Sequence, residues 1–316
     1  MGKPLGIFVA VALAFALAAC SDDPAVTTGP AGGSGTAATG TGAFPVTVTG
    51  TNGDVTIEAR PQRIVSLSPT ATEDLFAIGA GDQVIAVDDQ SNYPADAPTT
   101  DLSGFEPNVE AIAGYGPDLV VFATEPGDLG SSLEGLGITA LQLDAAPNLD
   151  VAYAQVERLG AATGHADEAG ALVEQMRSDI QGLVDGADPA TGTSFYFELD
   201  DTFYSVTSKT FIGQLFRMLG LKNIADEVGK GSGGYPQLSA EFIIESDPDL
   251  IFLADTKCCG QSAETVAQRP GWAGLGAVTG GDVVPLDEDV AQRWGPRVVD
   301  LLRQISDAAA AEADPA

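Results

Sequence analysis

The stretch Ala166–Val184 (ADEAGALVEQMRSDIQGLV) constrains the fold of this chain more than any other. Ala169, Val173, Met176, Ile180 and Leu183 recur every three or four positions, which aligns them as one apolar stripe of a helix. Asp167 and Glu168 suit the positive end of the helix dipole, and Gly186 with Pro189 closes the segment. At 1.5 Å per residue the result is a rod of about 30 Å. Strand-and-helix alternation lies on both sides of it, so the pattern predicts a strut between two α/β lobes with the function in the cleft between them.

A length of 316 residues and 44 % hydrophobic content can supply two cores of ordinary size. The 45 acidic residues against 14 basic ones give a formal net charge of −31. Such a surface repels phosphate backbones and anionic lipid heads, which argues against nucleic acid as a partner. The single histidine, His165, leaves little room for a His-rich metal site, and at a break between helices it reads as a solvated linker residue.

The first residues read as a targeting segment. Lys3 supplies a positive start, and the apolar run Leu5–Ala19 is shorter than the roughly 20 residues that span a bilayer. Leu17-Ala18-Ala19-Cys20 resembles the lipobox of bacterial lipoproteins, which implies cleavage before Cys20 and lipid attachment to its sulfur. Ser21–Ala43, rich in Gly, Ala, Thr and Ser, cannot bury enough surface to offset its ordering entropy and is expected to be a flexible tether.

Order is expected from Phe44. Val46–Thr49 and Val55–Ile57 flank Asn52-Gly53, a hairpin signal. Ile64–Leu67 reads as a buried strand, and Ser68-Pro69 starts a helix that Gly79 ends. Val84–Val87, Leu119–Phe122 and Thr139–Leu143 read as further strands, with a short helix at Val109–Ala113 and a longer one from about Asp150 to Thr163. Beyond the strut, Ser194–Leu199, Tyr204–Val206, Leu250–Leu253 and Val283–Leu286 are strand-like, and Phe211–Leu219, Ala240–Ile244 and Val298–Ala311 are helical. Strands this apolar, alternating with helices, predict parallel sheets covered on both faces. One internal match supports two similar lobes: Glu110-x-Ile112 before Pro117-Asp118-Leu119-Val120 has the spacing of Glu241-x-Ile243 before Pro248-Asp249-Leu250-Ile251.

A family resemblance rests on several separated motifs in order. Arg63-Ile64-Val65-Ser66-Leu67-Ser68-Pro69-x-x-Thr72-Glu73 resembles the opening signature of binding proteins for iron–siderophore and vitamin B12 importers. Asp101-Leu102 to Pro117-Asp118-Leu119-Val120, Thr210-Phe211-Ile212 with Leu219-Gly220 and Asn223-Ile224, Tyr235-Pro236-Gln237-Leu238-Ser239-x-Glu241 and Gly295-Pro296-Arg297 match its later blocks. The likeness covers about residues 62–305. It implies two Rossmann-like lobes joined by one long α-helix, an interlobe ligand delivered to an ABC permease dimer, no cofactor and no catalysis. The implied layout is a lipoprotein signal peptide over 1–19, a tether over 20–43, and an N-terminal lobe over 44–148. An interlobe helical segment over 149–187 (strut at about 166–184) and a C-terminal lobe over 188–316 follow.

The same likeness implies one surface glutamate per lobe for docking to permease arginines, and Glu73 and Glu241 match those positions. A carboxylate near a helix start is held by the dipole and stays ionised for such a pairing; a plain first-turn glutamate is the alternative. The ligand cleft is expected at the carboxyl ends of the strands. Candidate contacts there are Tyr93, Phe105 and Glu125 from the first lobe and Tyr204, Lys209, Tyr235, Arg293 and Trp294 from the second. Aromatic walls suit large planar ligands, and arginine or lysine suits anionic ferric siderophores. Ordinary packing is the alternative for Tyr204 and Trp294, and a structural role is the alternative for Arg297.

Cys258 and Cys259 are adjacent, with Cα atoms about 3.8 Å apart across a trans peptide. A strained vicinal disulfide, two free thiols and a metal or ligand contact all remain open. The expected function is an extracytoplasmic, membrane-anchored monomeric lipoprotein that captures a ferric siderophore or a corrinoid such as cobalamin. A haem or Zn/Mn receptor of the same architecture and a secreted hydrolase are the alternatives. The chain has no Gly-x-Ser-x-Gly elbow to support the hydrolase, and one histidine is poor provision for zinc.

Overall fold

Phe44 is the first residue described in a computed structural model of the chain, which covers residues 44–187 and 192–313. The expected signal peptide, Cys20 and the tether lie outside the described residues. Asn52-Gly53 turns the chain as expected: β1 (Val46–Gly50) and β2 (Gly53–Ile57) pair antiparallel, with Gly53 at φ 104° in a conformation that favours glycine. The hairpin docks on the first lobe through the Thr51 amide to the Gln142 carbonyl (2.8 Å) and the Asn52 side chain to the Ala140 carbonyl (3.0 Å).

The first lobe follows as β3 (Ile64–Leu67), α1 (Pro69–Ala77), β4 (Val84–Val87), α2 (Val109–Gly114), β5 (Leu119–Phe122), α3 (Leu129–Gly135) and β6 (Thr139–Gln142). Ser68 caps α1 by accepting from the Ala71 amide, and Pro69 occupies the first turn, where its missing N–H costs nothing. The strands form a parallel sheet in the order β4-β3-β5-β6.

Two helices connect the lobes. α4 (Leu149–Thr163) ends at Gly164 in the left-handed conformation, and α5 (Ala166–Gly186) is the strut. Ala169, Val173, Met176 and Ile180 are buried as the spacing predicts, and Leu183 is partly buried. His165 is the residue before α5 and is no free linker: its ring lies 2.9 Å from the Arg60 guanidinium and 3.2 Å from the Thr163 hydroxyl.

The second lobe comprises β7 (Ser194–Glu198), α6 (Phe211–Met218), β8 (Lys222–Asn223), α7 (Ala240–Ser246), β9 (Leu250–Leu253), α8 (Ala263–Ala267), α9 (Gly276–Gly280), β10 (Val283–Pro285), α10 (Glu288–Ala291) and α11 (Val298–Ala313). Its sheet, also parallel, runs β10-β9-β7-β8. Read from the first strand of each lobe, both sheets have the same order, with the second strand on one side and the third and fourth on the other. The internal sequence match has a common physical role. The Asp118 carboxylate accepts from the Gln62 and Arg63 amides (2.8 and 3.0 Å), and Asp249 accepts from the Ser194 amide and hydroxyl (both 2.7 Å). Each Pro-Asp joint thereby pins the entry of the neighbouring central strand.

Six elements of the sequence reading change. α3, α8, α9 and α10 are too short or too rich in glycine and serine to carry a helical period, and two-residue β8 carries no alternation. Tyr204–Val206 is no sheet strand. Its backbone pairs locally with 234–236, through the Ser205 amide to the Pro236 carbonyl and the Thr207 amide to the Gly234 carbonyl, beside a single Tyr204–Gln237 bridge.

Alternate strand residues point to opposite cores. Ile64, Leu119, Val121, Phe195, Phe197, Leu250 and Phe252 join one continuous core with α1, α4, α5, α6 and α11. Val65, Val120 and Phe122 pack outward on α2 and α3, and Tyr196, Ile251 and Leu253 pack outward with Ile243 and Trp272. Phe216 stacks on Phe195 at a centroid distance of 4.1 Å. The shared inner core braces both sheets against the strut, and the described residues pack as one compact unit.

Candidate functional site

The strands end in loops that bring the two lobes together. A cavity of about 780 Å³ lies between Ala145–Pro147, the loop after β6, and two second-lobe segments, Thr207–Phe211 and the turn-rich run ending at Tyr235. Beside it the Gln214 side chain donates to the Pro147 carbonyl at 2.8 Å. Of the residues predicted for the ligand cleft, Lys209 and Tyr235 line this cavity, Tyr235 with about half of its surface exposed (49 %). Arg217, Lys230 and Phe211 also line it and were missed by sequence reasoning. The legible signal was the run Gly229-Lys230-Gly231-Ser232-Gly233-Gly234 before Tyr235, whose last two glycines have positive φ (66° and 101°).

The remaining candidates are dispersed. Tyr93 lines a separate cavity of about 390 Å³ with Glu73 and Arg297, its ring 4.2 Å below the Arg297 guanidinium. Phe105 is the most exposed large apolar side chain described, at 71 %, and Tyr204 is also exposed. Glu125 is exposed and accepts from the Gly130 amide at 2.9 Å, which ties it to the first turn of α3. Trp294 is half-buried and its indole N–H donates to Gln155 Oε1 of α4 at 2.8 Å, so its polar edge is already engaged.

Arg293 is corrected from a ligand contact to a bridge between the lobes. It is buried and donates to Glu73 Oε1 (2.8 Å), Asn92 Oδ1 (3.0 Å), the Gln90 carbonyl (2.9 Å) and Asp289 Oδ1 (3.1 Å). Asn92 in turn donates to Asp289 Oδ2 at 2.9 Å, and Lys257 pairs with Asp287 and Asp289. The first-lobe loop after β4 is thus sewn to α10.

Glu73 is corrected as well. The expected surface carboxylate is 3 % exposed and is bound by Arg293 and by Arg297, whose Nε donates to Oε2 at 2.9 Å. Two facts bury it. It is the fifth residue of α1, past the first turn, and Gly295 lets the Gly-Pro-Arg segment lie against α1, where an added Cβ would stand 3.3 Å from Asp74 Oδ1. Beneath it Asp74 is fully enclosed, and burial followed by the Glu73 charge raises its pKa well above the ordinary carboxylate value. Glu241 does match the expected geometry, exposed in the first turn of α7 behind the Ser239 cap.

A second charged cluster sits at the carboxyl end of the second sheet. Buried Glu198 is held by Arg269 (2.7 Å to Oε2), which stacks over Trp272 at 4.7 Å. Asp255 is buried with neither carboxyl oxygen hydrogen-bonded, and burial and then Glu198 push its pKa up to about 7. On the loop that follows, Cys258 and Cys259 are separate thiols, the first exposed, not a disulfide. The Lys257 and Cys258 amides both donate to Glu288 Oε2 at 2.9 Å, which sets that loop without a covalent link. Among the described residues no three His, Cys, Asp or Glu side chains are placed to hold a metal, and no helix is long and apolar enough to cross a membrane.

Comparisons with known proteins agree with this architecture. The model of the periplasmic binding protein family matches residues 64–290. The chain is 30 % identical over 318 aligned residues to an uncharacterized ABC transporter substrate-binding lipoprotein, YvrC, of Bacillus subtilis, covering 97 % of each. It is 31 % identical to a cobalamin-binding protein of Halobacterium salinarum over 84 % of this chain and 74 % of the relative. The crystal structure of the periplasmic vitamin B12 binding protein BtuF of Vibrio cholerae superposes with a TM-score of 0.68 at 25 % identity, over 80 % of this chain and 98 % of that one. Two α/β lobes with like-ordered parallel sheets, braced by one long helix, are therefore the frame of a solute-binding protein, and the chain belongs to the periplasmic binding protein family that serves ABC importers.

Proposed function

We propose that this chain is an extracytoplasmic lipoprotein that holds a corrinoid between its lobes and delivers it to an ABC permease dimer. The observation that carries the reading is the cavity bounded by both lobes at the carboxyl ends of their strands, with Tyr235 on its wall. A bulky ligand there contacts both halves, and half-exposed Tyr235 offers an apolar face for a flat macrocycle. The cobalamin-binding relative from Halobacterium salinarum supports a corrinoid over other large ligands. A second reading, an anionic ferric siderophore, is favoured by the basic side chains on the cavity wall.

The lipid anchor at Cys20 rests on the Leu17–Cys20 motif and on the lipoprotein from Bacillus subtilis. The lobe boundaries near residues 148 and 188 and a monomeric state belong to the same proposal, as does docking through Glu241. Titration of the purified protein with cyanocobalamin, a ferric siderophore, haem and Zn²⁺, followed by tryptophan fluorescence and calorimetry, tests it. Saturable one-to-one binding of cobalamin or the siderophore is expected. Binding of haem or Zn²⁺ alone, or hydrolysis in an esterase assay without solute binding, would overturn it.

A further inference from the structure

Thirteen of the chain's basic residues lie in the described regions, and most are spoken for. Arg177, Lys222, Lys257, Arg269, Arg293, Arg297 and Arg303 are in ion pairs. Arg60 and Arg63 donate to backbone carbonyls. The side chains of four have neither an ion pair nor a hydrogen-bond partner among the described residues: Arg158, Lys209, Arg217 and Lys230. Three of those four line the cavity of about 780 Å³ between the lobes. Only one acidic residue lines it, Asp226, and its Oδ1 is engaged by the Ser208 amide at 2.8 Å.

In a chain of formal net charge −31, uncommitted cations are scarce, and scattering would leave them beside abundant carboxylates. Gathering them around one concavity makes a local positive field against a negative background, and low-dielectric walls concentrate such a field. A second observation points the same way. Thr207, on the cavity wall, is buried at 3 % exposure, and its hydroxyl oxygen has no hydrogen-bond partner. A buried hydroxyl without a partner loses the stabilisation of a hydrogen bond unless a ligand or water supplies one.

We propose that Lys209, Arg217 and Lys230 form an anion subsite that seats a carboxylate or phosphate group of the transported solute. This rests on the solute-binding reading and narrows it to ligands that carry a negative group away from their apolar face. Two sources share the chemistry, the phosphodiester of a complete corrinoid and the carboxylates of an iron chelate.

Calorimetry on the mature protein at low ionic strength tests the subsite with citrate and inorganic pyrophosphate as probes. At least one should bind, weaken as salt rises, and bind at least about tenfold more weakly to a Lys209→Gln/Arg217→Gln/Lys230→Gln variant. All three side chains are exposed, so the fold is expected to survive; the single variants Lys209→Gln and Lys230→Gln provide the measurement if it does not. Cyanocobalamin beside cobinamide, which lacks the phosphodiester, and ferric citrate separate the sources: the variant should lose the anionic member and keep the other. If neither probe binds the wild type, or the variant matches it on every anionic ligand, the subsite is refuted even where cobalamin binding upholds the transport reading. If citrate binds through the three cations and no corrinoid or chelate binds, the subsite stands and the transport reading falls.

Discussion

Asp255 is a buried carboxylate with neither oxygen hydrogen-bonded. Burial and the adjacent Glu198 push its pKa up to about 7, and burial raises Asp88 to about 6 even though the Ser91 hydroxyl donates to it. An unfolded aspartate titrates near 3.9. Between about pH 4 and 7 the native state therefore holds protons that the unfolded chain has released, so stability falls as pH rises through that window and levels off above it. The midpoint of thermal unfolding is expected to decline from pH 4.5 to pH 8, and Asp255→Asn should flatten part of the decline. A midpoint that climbs with pH, or a slope unchanged in the variant, contradicts the assignment. Ala254-Asp255-Thr256 reads as an ordinary loop carboxylate, because nothing nearby in the chain announces that Glu198 and Arg269 will enclose it.

α4 and α5 show what an element's own pattern reveals and what it conceals. The apolar period of α5 and the Gly164 break were legible, and both helices lie where the pattern put them. Their distance of approach was not. A Cβ built on Gly160 would stand 2.3 Å from the Ala169 Cβ and 2.8 Å from the His165 carbonyl oxygen, so the helices touch only because this residue has no side chain. Gly160→Ala should therefore destabilise the protein by about 1–3 kcal/mol in urea unfolding, although alanine is the better helix former. Gly170→Ala on α5 has open space around it and should be neutral or stabilising by up to ~1 kcal/mol. Equal effects of the two substitutions would mean that the close contact is not what the glycine serves.

At the scale of the whole molecule the lobes are held by charge as well as by apolar packing. Glu73, Arg293 and Arg297 form a buried cluster, and removing one partner of such a set strands the others. Glu73→Gln should cost about 3–5 kcal/mol and raise hydrogen exchange in segments 90–93 and 289–297. Arg177→Gln, which breaks an exposed pair with Asp150, should cost at most about 1 kcal/mol. Similar melting temperatures for the two would refute the clamp. Glu241 faces solvent, so Glu241→Arg should leave ligand affinity unchanged and abolish ligand-stimulated ATPase of the permease; normal stimulation would remove it from the docking surface.

Secondary structure, the twin sheets and the family frame were written in near-neighbour patterns: the unbroken apolar run Phe195–Phe197, the cap at Ser68-Pro69, the repeated Pro-Asp before β5 and β9. Such patterns act over a few residues and need no partner to be recognised. Partnership is another matter. Glu73 meets Arg293 across 220 positions, and Lys209, Arg217 and Lys230 come to one cavity with Ala145–Pro147, because the packing of two lobes on a strut decides which loops converge. The same carboxylate motif could have faced water or arginine. Only the tertiary structure, by burying Glu73 and leaving Glu241 exposed, made that choice.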